Sequence, residues 1–267
     1  MMALMKKTTL LFLLAACAPP LWAGTELKAH LESYSDKKAW VDVEASIGDG
    51  HLRLNFVGPW AHGSLLYDRD SSLLTIVDDF HKTALPLSQN NQAALKLVAT
   101  IASAKFEGQA DGSKSGAKAL KMVRENAQAF FNGIPTLRAK GIRKDGFTCD
   151  SYVTEWEGKR AREVWVTNPD QTGMAGEDYN TLRALAHLVV EFCGDELVRW
   201  GADTDAFKQG FNDPQLPVYE ILYLKGKPSS LFQILSVSPQ EFGEETFRPP
   251  DGYQTLSLLD ILQQGFK

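Results

Sequence analysis

The sequence predicts an α+β domain in which an antiparallel sheet carries helices on one face. Three observations lead to this prediction: apolar and polar residues alternate in two blocks, turn sequences separate the alternating runs, and amphipathic segments with helical spacing lie between the blocks. Strands and helices do not alternate regularly, which argues against a parallel, dinucleotide-binding type of fold. Nothing near Gly133 resembles a linker, so we expect a single domain over residues 24–267.

The first alternating block covers residues 25–87. Leu27, Ala29 and Leu31 alternate with polar and charged neighbours, as expected for a sheet with one solvated and one buried face. The turn sequence Gly48-Asp49-Gly50 separates two such runs. The block therefore predicts a series of antiparallel hairpins.

The amphipathic segments predict four helices. The third carries Leu185, Val189 and Cys193 on one apolar stripe, and Gly194 is its expected end. The four helices are expected at residues 93–104, 117–131, 177–193 and 196–211.

The second alternating block covers residues 136–167, and further strands follow at residues 218–224 and 229–236. Glu157-Gly158-Lys159 and Lys225-Gly226-Lys227-Pro228 are turn sequences between β-prone runs. They predict two more hairpins.

Residues 1–23 have the three-part pattern of a secretory signal. Lys6 and Lys7 precede an uncharged, mostly apolar run at residues 8–16, and small residues and prolines follow. The run has about half of the ~20 residues that a membrane-spanning helix needs. The sequence therefore predicts export, with no retained span, to the periplasm or to the periplasmic face of the outer membrane.

Two processing sites compete within this signal. Leu14-Ala15-Ala16-Cys17 resembles a lipobox, in which Cys17 becomes the lipidated first residue and acyl chains hold the protein at a membrane. Leu21-Trp22-Ala23 before Gly24 resembles an ordinary signal-peptidase site. The residues leave both alternatives open.

The net charge of −5, with positive and negative residues interspersed, argues against nucleic acid as a partner, because phosphate binding needs a concentrated basic surface. Beyond Cys17 the chain has two cysteines, Cys149 and Cys193. An even pair in an oxidising compartment predicts a disulfide. The alternative is two unrelated buried thiols.

No catalytic, metal or cofactor motif stands out. The five histidines match no metal-ligand spacing, G-x-S-x-G is missing, and the S-x-x-K matches lack their companion motifs. We therefore predict no catalytic residue, metal or cofactor. Four aromatic residues on predicted strands are candidates for lining a groove that holds an apolar ligand, although such residues also pack cores. They are Trp40, Tyr67, Trp156 and Trp165.

Three sequence patterns carry a resemblance to a known group of proteins. They are two neighbouring runs at residues 65–68 and 73–78, a second pair at residues 155–159 and 163–167, and the ending Phe247-Arg248-Pro249-Pro250-Asp251-Gly252-Tyr253. Together with the signal, they resemble bacterial envelope proteins of the LolA/LolB-like superfamily, in a branch of domains of unknown function. The resemblance covers most of the mature chain.

The resemblance implies a curved antiparallel sheet, an incomplete barrel, with helices covering its concave face. The carriers of that superfamily hold acyl chains in this cavity. The order of helices and sheet differs somewhat from that of a simple carrier, and the cysteine pair is additional. We expect a non-catalytic envelope protein that binds a lipid, a lipoprotein or another apolar group. The alternatives are a structural or partner-binding protein with a self-filled core, and a hydrolase whose residues meet only in space.

Overall fold

The structure is a computed structural model, and it describes residues 21–34, 39–59, 61–88, 96, 124–125, 128, 131–199, 215–257 and 260. Within these residues twelve strands form one sheet. In chain order the strands are β1 (Leu21–Ser33), β2 (Trp40–Gly48), β3 (His51–Gly58), β4 (Ala61–Asp68), β5 (Leu73–Asp78), β6 (Thr83–Leu87), β7 (Pro135–Lys144), β8 (Phe147–Trp156), β9 (Lys159–Thr167), β10 (Leu216–Leu224), β11 (Lys227–Gly243) and β12 (Gln254–Thr255). Helix α1 covers Gly176–Arg199, and short 3-10 helices cover Pro169–Thr172 and Glu244–Phe247.

The strand order is β12-β6-β5-β4-β3-β2-β1-β11-β10-β9-β8-β7. Neighbouring strands are antiparallel except for β12 and β6, which are parallel. Strand β1 lies between β2 and β11, and it joins the meander β2–β6 to the second group of strands, β7–β11. The sheet therefore depends on a pairing between the first and the last long strands.

The predicted fold class was wrong. Instead of an α+β domain whose helices cover the concave face of an incomplete barrel, the described residues form one large mixed sheet with a single α-helix of defined bounds. The alternation in the sequence located strands, but alternation carries no information on which strands pair. Here β1 pairs with β11, so both alternating blocks belong to the same sheet.

Helix α1 confirms the helix predicted at residues 177–193. It does not end at Gly194 as predicted, because the helix continues to Arg199. Most of each helix predicted at residues 93–104, 117–131 and 196–211 lies outside the described residues. The described positions within the first two, at residues 96, 124, 125, 128 and 131, are helical. No helix among the described residues combines the length and apolar character that a bilayer span requires.

Among the described residues, four hairpins turn through two residues that both have positive φ, and the second of the two is always glycine. This is the geometry of a type I′ turn, whose twist matches that of the flanking strands. The turns at residues 49–50, 157–158 and 225–226 confirm predicted hairpins, and the turn at residues 145–146 is an additional one.

The core lies between the sheet and α1, which packs against β2 and β3. The side chains of Ile47 and Leu52 are completely buried there. A buried hydrogen bond of 2.7 Å, donated by the Thr25 hydroxyl to Oδ2 of Asp178, connects the first turn of α1 to β1. Burial raises the pKa of the Asp178 carboxyl, although this hydrogen bond opposes the shift.

We expect Asp178→Asn to change the free energy of unfolding more favourably at pH 7 than at pH 4. A raised carboxyl pKa in the folded state stabilises folding at low pH, and this contribution is lost as the pH rises through the folded-state pKa. The asparagine does not titrate, and its carbonyl oxygen still accepts the hydrogen bond from Thr25. Urea unfolding of both proteins at the two pH values measures the difference, with the exposed Asp170→Asn as control. If the stability gained by the variant over the unmodified protein is smaller at pH 7 than at pH 4, the raised pKa of Asp178 is contradicted.

The predicted disulfide between Cys149 and Cys193 is not found in the structure. Cys149 in β8 is a buried free thiol within the apolar core, and burial raises its pKa. Cys193 belongs to α1, and its side chain lies outside the described residues. A buried thiol of raised pKa acts as a small apolar side chain with little nucleophilic reactivity.

Candidate functional site

A cleft of about 360 Å³, here called the apolar cleft, lies across four neighbouring strands, β2, β1, β11 and β10. One row of paired residues crosses its floor: Val41 pairs with Leu31, Leu31 with Phe232, and Phe232 with Glu220. Paired residues of neighbouring strands share a face of the sheet. Further lining residues are Glu32, Ser33, Ala39, Trp40, Leu222, Ser230 and Leu231.

Glu220 forms one wall of the apolar cleft and is already paired with a cation. Nε of Arg162 donates to one carboxylate oxygen at 2.8 Å, and Nη2 donates to the other at 3.3 Å. Both side chains are largely buried. The bidentate pair neutralises Glu220 and satisfies its hydrogen bonding, so the interior of the cleft remains mostly apolar.

Trp40 is among the residues that line the apolar cleft, and its ring is held by a neighbouring ring. The rings of Trp40 and His30 are stacked with their centroids 6.3 Å apart. Nδ1 of His30 lies 2.6 Å from Oδ1 of Asp42, a hydrogen-bonding distance. These contacts order the indole. Because Trp40 precedes Val41 of the cleft floor along β2, strand alternation directs its ring to the opposite face of the sheet.

A second cleft, also of about 360 Å³, opens on the other face of the sheet. Glu220 lines the apolar cleft, and the next residue, Ile221, points to the opposite face. Ile221 pairs with Glu163, which lines the second cleft. We call it the arginine cleft, after its cationic residues Arg138 and Arg160.

The structure does not bring the four predicted aromatic residues together. Trp40 lines the apolar cleft, and Trp165 lines the arginine cleft on the opposite face. Tyr67 is buried in the core, where burial raises the pKa of its phenol. Trp156 is half-buried at the end of β8, beside the turn at residues 157–158. Their role in ligand binding remains a prediction.

Most residues of the apolar cleft could not be recognised in the sequence. Leu31 belongs to an alternating run that was recognised, and the run assigned it to the same face as Leu27 and Ala29. Phe232 and Leu222 come from the last part of the chain, and only the pairing of β1 with β11 places them beside Leu31. No local pattern in the sequence could have indicated that pairing.

The described residues contain no group of three or more histidine, cysteine, aspartate or glutamate side chains placed to bind a metal ion. Cys17, the predicted lipidation site, and the first 20 residues lie outside the described residues. Export and lipidation therefore remain predictions.

No protein-family model matches the chain, and no curated protein matches it. Several solved structures resemble it at low identity. One is an uncharacterized conserved protein from Thermus thermophilus, with 9% identity and a TM-score of 0.41, and the match covers 94% of this chain and 99% of that protein.

Two further structures cover 88% of this chain with TM-scores of 0.37. One is PNGF-II, at 10% identity, of which 31% is covered. The other is MucB in complex with MucA(peri), at 11% identity, of which 56% is covered. Likenesses of this strength do not assign the chain to a family, and the resemblance to LolA/LolB-like proteins remains a prediction.

Proposed function

We propose that the chain is an exported, non-catalytic protein of the cell envelope that binds an apolar group, such as an acyl chain of a lipid or lipoprotein, in the apolar cleft. The observation that carries the proposal is the cleft itself, whose floor is Val41, Leu31 and Phe232. Its volume of about 360 Å³ lies within the range of small-molecule sites, which are mostly apolar with few polar groups.

The free energy available in such a cleft is sufficient for binding. Burying one methylene group contributes about 0.8 kcal/mol. An acyl segment of roughly eight methylenes therefore gains about 6 kcal/mol, from which the entropy lost on association must be subtracted. We expect affinity no tighter than about millimolar for an eight-methylene segment, and longer or paired chains should bind more tightly.

We expect Leu31→Ser to weaken the binding of dodecanoate by at least about fivefold, because removing a partly buried leucine from the floor removes about 1 kcal/mol of apolar contact. Titration of the intrinsic tryptophan fluorescence measures the dissociation constant, and Trp40→Phe shows which part of the signal comes from Trp40. The control is Leu235→Ser. Leu31 is 39% exposed and Leu235 is 55% exposed, but Leu235 lies outside the cleft.

Two outcomes would contradict the proposal. One is the absence of saturable binding by the unmodified protein to dodecanoate or to a diacyl lipopeptide. The other is an equal loss in Leu31→Ser and Leu235→Ser, which would indicate non-specific adsorption. Either result would favour a structural or partner-binding protein instead.

A further inference from the structure

We propose that the arginine cleft binds an organic oxyanion, with a phosphate or carboxylate group held by Arg138 and Arg160 and an apolar portion against Trp165 and Ile142. This inference is independent of the proposed function, because the two clefts lie on opposite faces of the sheet.

The first observation is an excess of positive charge around one largely buried carboxylate. Glu163 accepts hydrogen bonds from Nη1 of Arg138 at 3.3 Å and from the hydroxyl of Tyr223 at 2.6 Å. Nη1 of Arg160 lies 3.0 Å from the same carboxylate. Glu163 is the single acidic residue among the described residues that line the cleft. Among these lining residues, two guanidinium groups and one carboxylate leave a net charge of +1. Glu155, which pairs with Arg160 between β8 and β9, carries a further negative charge outside the lining of the cleft.

The second observation concerns the hydrogen-bond donors that remain. A guanidinium group has five N–H donors, and contacts to Glu163 and Tyr223 engage only a minority of those on each arginine. The side chains of Arg138 and Arg160 are 60% and 40% exposed, whereas that of Glu163 is 12% exposed. The arginines are thus anchored at one edge, and their other donors are accessible to an oxyanion, which suits the planar guanidinium fork.

Arg160 remains cationic in this arrangement. Its hydrogen bond with Tyr223 and the negative charge of Glu163 raise the pKa of its guanidinium. The guanidinium also lies 5.6 Å from the centre of the Tyr223 ring. These contacts orient Arg160 without neutralising it.

The size and the apolar wall of the cleft indicate that the ligand is larger than a simple ion. A volume of about 360 Å³ exceeds the space of one phosphate group, and Ala139, Ile142 and Val153 line the cleft together with Trp165. Trp165 packs edge-to-face against Tyr219 with the ring centroids 5.1 Å apart. Its indole therefore offers a fixed surface to an aromatic or aliphatic group.

The competing explanation is that both arginines serve only to neutralise the buried Glu163. The two explanations predict opposite effects of Glu163→Gln. If the arginines form an anion site, removing the competing carboxylate raises the net charge and tightens anion binding. If they only compensate Glu163, its loss disorders both side chains and creates no binding.

The probes are phenyl phosphate, inorganic phosphate and sulfate, titrated at constant ionic strength and followed by the NMR signal of the Trp165 indole N–H. We expect phenyl phosphate to bind saturably and at least about tenfold more tightly than inorganic phosphate, because its ring adds apolar contact. Arg138→Gln should weaken its binding at least about fivefold, since a charged hydrogen bond contributes more than a neutral one. Glu163→Gln should tighten it at least about threefold, because a nearby unit charge is removed.

The matched control is Arg143→Gln. Arg143 lies on the same strand and is exposed, but it follows Ile142 and points to the opposite face. It should leave phenyl phosphate binding unchanged. Thermal unfolding of each variant checks that it folds. If Arg138→Gln does not fold, the test made with that variant is replaced by displacement of phenyl phosphate from the unmodified protein by sulfate.

The proposal is overturned if the unmodified protein binds none of the three probes saturably, or if sulfate does not displace phenyl phosphate. It is also overturned if Arg138→Gln and Arg143→Gln behave alike, or if Glu163→Gln weakens binding. Equal affinities for phenyl phosphate and inorganic phosphate would overturn the apolar half of the site.

Discussion

Ile234→Ala is expected to lower the free energy of unfolding by about 2–5 kcal/mol, the range for truncating a large buried aliphatic side chain. The neighbouring change Leu235→Ala is expected to alter it by no more than about 0.5 kcal/mol, as for other exposed positions. Ile234 is 1% exposed and belongs to the core, whereas Leu235 is 55% exposed. The loss in the free energy of unfolding should therefore be at least about four times larger for Ile234→Ala than for Leu235→Ala, although the two residues are adjacent in one strand.

The contrast depends on an irregularity in the pairing of β1 with β11. Lys28 pairs with Ser236 and Ala29 with Ile234, so that Leu235 has no partner and bulges from the ladder. A shift of the register by one residue would exchange the faces of all side chains beyond the bulge. Urea unfolding of both variants tests this register, and comparable losses of stability would show that the bulge lies elsewhere.

Cys17→Ser is expected to change the location of the protein almost completely. If Cys17 is the lipidated first residue, the unmodified protein fractionates with membranes, and the variant is either released or left unprocessed. The structure adds an argument for this site. Strand β1 begins at Leu21, and Leu21, Trp22 and Ala23 pair with Gly243, Phe242 and Glu241 of β11. Cleavage before Gly24 would remove these three paired residues, and cleavage before Cys17 would retain them.

Membrane fractionation and mass spectrometry of the mature N-terminus measure the outcome. Pro20→Ala is the control, because it lies outside the lipobox and should not affect location. A soluble, unmodified chain that begins at Gly24 would contradict the lipidation proposal, and a chain that still begins at Met1 would contradict export itself.

Local features of the fold could be predicted from the sequence. Dipeptides that end in glycine, at residues 49–50, 157–158 and 225–226, predicted three turns. The structure confirms these turns, and both residues of each have positive φ. The apolar stripe that includes Leu185 and Val189 identified α1, but only part of it faces the core. Leu185 is buried, Val189 is 40% exposed, and the buried Leu188 was not on the predicted stripe. Each of these signals lies within a few neighbouring residues.

Features that depend on distant residues could not be predicted. The disulfide was predicted because the number of cysteines beyond Cys17 is even. That number does not indicate where each cysteine lies in the fold, and Cys149 is a free thiol in the core. Residue type alone did not separate Tyr67, which is buried, from Trp40, which lines a cleft. Arg138 and Glu163 also gave no signal, because charged residues on strands ordinarily face solvent.

The central position of β1 has a consequence for how the chain folds. The meander β2–β6 is built from hairpins between close neighbours in the sequence, and so is the second group β7–β11 apart from the pairing of β9 with β10, which α1 separates. The two groups are joined in the sheet through β1 and β11. Leu21 and Gly243 lie at nearly opposite ends of the described chain. Because long-range pairings close the largest loops, they form late and slowly. Until β11 arrives, β1 presents an unpaired edge, so the chain is most exposed to aggregation during the interval between synthesis of its first strand and its last long one.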